Sequence, residues 1–120
     1  MRKQNIRACF KEQTLRILSA IHSNGPQTYS DLEHAIESAG SYLDREHIAK
    51  LRRDGFIIRE LASIEPVVVQ YALTTMGASL AEHATGLVRW IDLHREDIHA
   101  ARAFYSEATA KAERAAEVAA

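Results

Sequence analysis

The segment Tyr71-Ala-Leu-Thr-Thr-Met-Gly77 constrains this chain more than any other. A β-prone run, Val67 to Leu73, stops at a threonine, and apolar residues then return at helical spacing at Leu80, Ala84, Leu87, Trp90 and Ile91. Another β-prone run, Phe56 to about Leu61, lies just upstream across a short turn at Ser63–Pro66, so the pair predicts a hairpin that feeds directly into a helix.

Upstream of the hairpin the pattern is helical throughout. Ile6, Phe10, Leu15, Leu18 and Ile21 form a one-faced series that ends at Asn24-Gly25-Pro26, where proline cannot continue a helix. A second helix opens at Thr28-Tyr-Ser-Asp31 or at Ser30-Asp-Leu-Glu33, both with capping-box spacing, and buries Leu32, Ala35 and Ile36. Ser41 is positioned to cap a third helix of about residues 41–54, stopped by Asp54-Gly55. On that helix Leu43, His47, Ile48 and Leu51 share one face, and Tyr42, Arg45, Glu46, Ala49 and Arg53 the other. After the hairpin the helical series runs on through His94, Ile98, Ala101, Phe104 or Tyr105, and Ala108, with Gly86 as a point of bending or close helix contact.

The fold class is therefore mainly α with a small β-hairpin (α+β): a winged helix-turn-helix with N- and C-terminal dimerisation helices. The chain has 120 residues, the size of one domain. We divide it into an N-terminal helical extension (1–13), a winged helix-turn-helix core (14–77) and C-terminal dimerisation helices (78–120).

Composition narrows the function classes. One cysteine excludes an internal disulfide and any multi-cysteine zinc site. No apolar run approaches the ~20 residues of a membrane span and no signal core follows the N-terminal basic residues, so a soluble, cytoplasmic protein is expected. The net charge is −1, but residues 1–60 carry ten Lys/Arg against eight Asp/Glu, and residues 61–120 carry five against eight. The basic bias falls on the half that would hold DNA-reading elements. None of the six histidines pairs at the i,i+4 spacing of a helical metal site, so no metal and no cofactor is expected. No phosphate-cradling loop, nucleophile elbow or carboxylate pair with a base appears, so catalysis has no candidate.

Several segments together resemble the HxlR-type winged-helix transcriptional regulators, relatives of the MarR group. Gly25-Pro26-Gln-Thr-Tyr29-Ser-Asp-Leu32 resembles the family's lead-in to its second helix. Leu51-Arg-Arg-Asp54-Gly55-Phe56-Ile57 resembles its exit from the recognition helix. Glu65-Pro66 through Leu80 is similar to its second wing strand and following helix, and Trp90, His94, Ile98, Ala101-Arg102 and Tyr105 fall at spacings typical of its last helices. The resemblance covers roughly residues 14–105 and departs at three places. The N-terminal Cys-Pro and Gly-Gly-Lys-Trp are absent, Asp44 stands where a leucine is expected, and the wing turn Ala62-Ser-Ile-Glu-Pro66 offers an acid and no base.

The resemblance implies a homodimer that binds double-stranded DNA. The third helix would then lie in the major groove. Arg45 is the leading reader, because a guanidinium can grip guanine O6 and N7 together. Tyr42 would meet a phosphate or a thymine methyl, and Glu46 a cytosine amino group. Ser41, Lys50, Arg52 and Arg53 are candidates for backbone phosphate, as are Gln27 and Thr28 at the second helix and Arg59 near the wing base. A solvated amphipathic helix would carry the same residues, but its place between a short helix and a hairpin favours DNA. An acidic wing tip predicts few contacts there.

Ile6, Phe10, Trp90, Ile91, Ile98, Phe104 and Tyr105 exceed what one winged core can bury, so they are expected in a dimer interface. Folding of the last helix back on its own domain is the alternative. Some regulators of the family sense oxidants through an N-terminal cysteine. Cys9 has no proline after it and sits beside Phe10, the setting of an inert core thiol, although Arg7 and Lys11 would lower its pKa if it were exposed. A reading of another class is a protein-interaction or dimerisation adaptor with weak or no DNA binding, which Asp44, Glu46 and the wing tip favour. Nothing in the sequence names a small-molecule effector.

Overall fold

The computed structural model describes residues 11–119. Its elements are α1 (Glu12–Asn24), α2 (Tyr29–Ser38), α3 (Arg45–Arg53), β1 (Ile57–Ile64), β2 (Val67–Leu73) and α4 (Thr75–Ala119). Ile6, Cys9 and Phe10 lie outside the described residues. The chain forms two compact units, one ending at Val88 and one starting at Arg89.

The first unit is organised around α1. The sequence suggests a one-faced helix, but Thr14, Leu15, Arg16, Ile17 and Leu18 are all buried in succession, as is Ile21. A helix covered around its circumference is a central helix rather than a surface one. Arg16 tolerates this position because its guanidinium meets Glu12 at 2.8 Å, one turn earlier. Leu32 and Ile36 of α2, Leu43, Ile48 and Leu51 at α3, Ile57, Tyr71, Ala81 and Ala84 complete the core.

The start of α2 resolves an ambiguity between two capping boxes. Thr28 is the N-cap: its Oγ1 accepts the Asp31 amide at 3.1 Å, and Asp31 Oδ2 accepts the Thr28 amide at 3.3 Å. The third helix starts later than residue 41. Asp44, in extended conformation, accepts the His47 amide on Oδ1 at 2.9 Å and is the N-cap. Ser41 does not play that part, since it stands in the turn after α2, ahead of the helix start, with its backbone amide bonded to the Ile36 carbonyl at 3.1 Å. Asp44 therefore stands in place of the expected leucine as a cap, while Leu43 beside it is buried.

Strands β1 and β2 pair antiparallel from Ile57↔Leu73 to Ile64↔Val67, with the register shifted between Leu61 and Ser63. That bulge lets β1 run on to Ile64, past the Leu61 expected from its pattern. A free two-stranded hairpin is marginal in water; this one is anchored at its base. Gln27 forms a bridge to Tyr71, with amide-to-carbonyl distances of 3.0 and 2.7 Å in the two directions.

The junction of β2 and α4 carries the other anchor. The Thr74 hydroxyl donates to the Gly55 carbonyl at 2.6 Å, with the Phe56 carbonyl at 3.2 Å as an alternative acceptor. The same oxygen accepts the Gly77 amide at 2.9 Å and so caps α4. Gly77 is required by contact: a Cβ there would lie 1.8 Å from the Phe56 carbonyl oxygen. Gly86, by contrast, stays within α4, and among the described residues nothing lies within 4 Å of where a Cβ would stand, so no close helix contact among them explains it. The C-terminal helices expected from the sequence are one assigned helix, α4.

Candidate functional site

Helices α2 and α3 and the base of the hairpin meet around a concavity of about 220 Å³ lined by Tyr29, Arg45, Ile48, Ala49, Arg52, Arg59 and Tyr71. A shallower depression of about 530 Å³ adjoins it and shares Ala49, Arg52 and Arg59, adding Arg53, Ile57 and Ile58. The structure thus brings Arg59 of β1 beside Arg45, Arg52 and Arg53 of α3, from which the α3–β1 turn separates it in sequence. Leu43, Ile48 and Leu51 face inward and Arg45, Glu46, Ala49, Arg52 and Arg53 are exposed, so the two faces read from periodicity hold despite the later helix start.

The cations differ in what they do in the absence of a ligand. Arg45, the first residue of α3, lays its guanidinium over the Tyr29 ring, 4.3 Å from the centroid. Lys50 pairs with Glu46 at 3.2 Å and Arg53 with Asp54 at 3.1 Å. Both pairs are largely solvent-exposed and worth well under ~1 kcal/mol. Among the described residues, Arg52 and Arg59 make no ion pair.

The remaining candidates divide. Tyr42 is 57% exposed, its ring tilted against His47 at 6.0 Å. Ser41 sits in the turn before α3. Thr28 has its hydroxyl committed to the α2 cap, and Gln27 has its backbone committed to Tyr71, while the Gln27 side chain donates to the neighbouring Pro26 carbonyl at 3.4 Å. Tyr29 and Asp44 are what sequence reasoning missed. Asp44 carried a legible signal, a capping residue before an amphipathic run. Tyr29 carried none, since nothing local links it to Arg45. Burial, with Glu33 adding to it, pushes the Tyr29 hydroxyl above its ordinary pKa, while Arg45 opposes that shift.

The wing differs from the α3 face. Leu61, Ile64 and Val67 are 61%, 77% and 69% exposed, and Glu65 lies among them, so the tip is apolar and acidic. Arg59 at its base is its one arginine or lysine.

In the second unit, no described residue is buried. Trp90, Leu93, Phe104 and Tyr105 are half or more exposed, and Ile91 and Ile98 are half-buried. At about 100° per residue Trp90, Leu93, Ile98, Ala101, Phe104 and Tyr105 share one side of the helix. The Trp90 and His94 rings stack at 4.3 Å, and His94 Nδ1 lies 2.9 Å from the Trp90 carbonyl. Among the described residues no helix is long and apolar enough to cross a membrane.

Comparison with known proteins bears on this arrangement. The model of the HxlR-like helix-turn-helix family matches residues 11–99. YtfH of Escherichia coli, an uncharacterized HTH-type transcriptional regulator, is 30% identical over 78 residues, which are 65% of this chain and 62% of that protein. YvaP of Bacillus subtilis, described in the same words, is 30% identical over 73 residues, 58% of this chain and 68% of that one. The aligned stretch is thus less than two-thirds of the YtfH length. Among solved structures, the YtfH protein of Salmonella typhimurium superposes with a TM-score of 0.66 at 24% identity, covering 81% of this chain and 86% of that one. NadR in complex with 4-hydroxyphenylacetate superposes with a TM-score of 0.54 at 22% identity, covering 84% and 75%. At these identities both superpositions speak to the fold.

Proposed function

Since the chain belongs to the HxlR-like helix-turn-helix family, we propose that it is a transcriptional regulator that binds double-stranded DNA as a homodimer, with α3 in the major groove. The observation that carries this reading is the convergence of Arg45, Arg52 and Arg59 on one concavity at the outer side of α3. Two of those arginines have no ion pair among the described residues, and an open concave surface with unneutralised guanidinium groups matches a phosphodiester backbone.

Arg45, at the first turn of α3, is the base reader, with Tyr42 and Glu46 beside it. Lys50, Arg52, Arg53 and Arg59 neutralise phosphates, and Ser41, Gln27 and Thr28 approach the backbone from the preceding turns. Residues 14–77 act as the reader. Residues 78–120 pair with a second copy through Trp90, Ile91, Ile98, Phe104 and Tyr105, joined by Ile6 and Phe10 of the 1–13 extension. A two-fold partner would cover the exposed aromatic side of α4 and set two copies of α3 about one DNA turn apart.

The apolar, acidic wing tip favours a second reading, a dimerisation adaptor that does not hold DNA. Titration of a random-sequence duplex by fluorescence anisotropy between ~50 and ~200 mM salt separates the two, because phosphate contacts dominate at the low end. Wild type is expected to bind, and Arg52→Ala with Arg59→Ala to lose tenfold or more at ~50 mM, with the log–log salt slope reduced by about two per protomer. No binding by wild type at ~50 mM salt sinks the regulator reading and leaves the adaptor.

A further inference from the structure

We propose that Tyr29 is the positioning residue for Arg45, its ring holding the guanidinium in the direction that reads a base and thereby setting sequence specificity. The inference rests on the regulator reading above and names the residue on α2 through which that reading becomes specific.

The platform under Arg45 is rigid by construction. Tyr29 is the first residue of α2, and the residues before it are fixed on both sides. Thr28 is locked in its reciprocal cap with Asp31, and Gln27 is bonded through both backbone groups to Tyr71. The Tyr29 ring is half-buried and packs against the core cluster, so it has little freedom to turn away. Its protonated hydroxyl leaves it a neutral ring, and the contact with Arg45 at 4.3 Å is a cation–π contact.

Arg45 gains direction from that ring. A free arginine side chain samples many rotamers and loses that freedom when it grips a base. The ring engages the guanidinium from one side, and N–H donors on the other remain for guanine O6 and N7. Asp44 fixes the other end, since its cap on the His47 amide sets the backbone from which Arg45 departs. Among the described residues it is the Arg45 guanidinium that lies over the Tyr29 ring, whereas Arg52 and Arg59 line the rest of the concavity, so on this proposal discrimination between duplexes rests on the first pair and affinity for any duplex on the second.

That separation provides the test. Wild-type protein is used to select a preferred duplex from a randomised library, and affinities for that duplex and for a random-sequence duplex are compared at one salt concentration. Tyr29→Phe keeps the ring and is expected to hold the ratio of the two affinities within about twofold. Tyr29→Leu is expected to lower the ratio about fivefold, as loss of a partly exposed cation–π contact predicts, the loss falling on the selected duplex more than on the random one. In an Arg45→Ala background, Tyr29→Leu should have no further effect on the ratio. In the free wild-type protein the Arg45 Nε–H proton should show an upfield ring-current shift, a measurement that needs no variant to fold.

Several outcomes overturn the inference: an absent ring-current shift, a leucine variant that discriminates as well as wild type, or parallel loss on both duplexes, which would mark a merely structural residue. If wild type binds but Tyr29 variants behave alike, only this inference falls. If wild type binds no duplex, the regulator reading falls with it.

Discussion

Along α4, the stretch from Thr75 to Val88 buries Gly77, Ala81 and Ala84, whereas from Arg89 to Ala119 nothing is buried, although Trp90, Leu93, Phe104 and Tyr105 all lie there. The small residues are inside and the large ones outside, the reverse of a ranking by hydrophobicity. Gly77 is buried because the Phe56 backbone approaches it so closely, and Ala81 and Ala84 belong to the core cluster. In the second stretch the apolar area is large, and no described residue is buried. An exposed aromatic surface of that kind marks an interface more often than a solvated helix. The first stretch therefore answers to the stability of one protomer, and the second, on our proposal, to the association of two.

Substitutions can break that division, beginning with the largest expected effect. Gly77→Ala places a methyl group against the Phe56 carbonyl, and since backbone rather than a flexible side chain must move, destabilisation of about 3 kcal/mol or more is expected in urea unfolding. An unchanged midpoint would show that the close approach is not required. Trp90→Ala with Phe104→Ala should leave the far-UV circular dichroism intact but weaken self-association by about 2 kcal/mol, roughly thirtyfold, in sedimentation equilibrium. A wild-type protein already monomeric at micromolar concentration would remove the second half of the comparison altogether. Thr74→Val keeps the shape and deletes the hydroxyl, so the cap of α4 and the tie to the α3–β1 turn go together, at about 1–2 kcal/mol in thermal unfolding. A change in association rather than protomer stability would blur the boundary between the two stretches.

Much of the scaffold was legible in the sequence because it is written locally. Asn24-Gly25-Pro26, Asp54-Gly55 and Leu73-Thr74 each combine a pattern change with residues suited to a boundary, and the structure places breaks at all three. The inward face of α3 was legible for the same reason, since helical period survives an error in the starting residue. The start itself was not: Ser41 and Asp44 are equally good caps by type, and what separates them is that the His47 amide meets Asp44 Oδ1. The burial of Arg16 and Ile17 around α1 was hidden because coverage from several sides leaves no periodic trace. The concavity of Tyr29, Arg45, Arg52 and Arg59 was hidden because three separate segments build it. Periodicity assigned those residues to surfaces but had no means of assigning them to each other.

The Thr74 hydroxyl has a consequence for how this hairpin can change over evolutionary time. By bonding to the Gly55 carbonyl it ties together the two ends of the segment from Gly55 to Thr74, so that segment is a loop closed at its neck. Residues inserted or exchanged at the Glu65–Pro66 tip lengthen or recolour the loop without altering the separation of its ends. Loop-closure entropy rises only slowly with length, by about 0.6 kcal/mol for each doubling. The tip is thus open to drift in length and charge, while α3 and the beginning of α4 stay in register with each other. An acidic, apolar tip on an otherwise orthodox scaffold is the kind of variation such a neck permits.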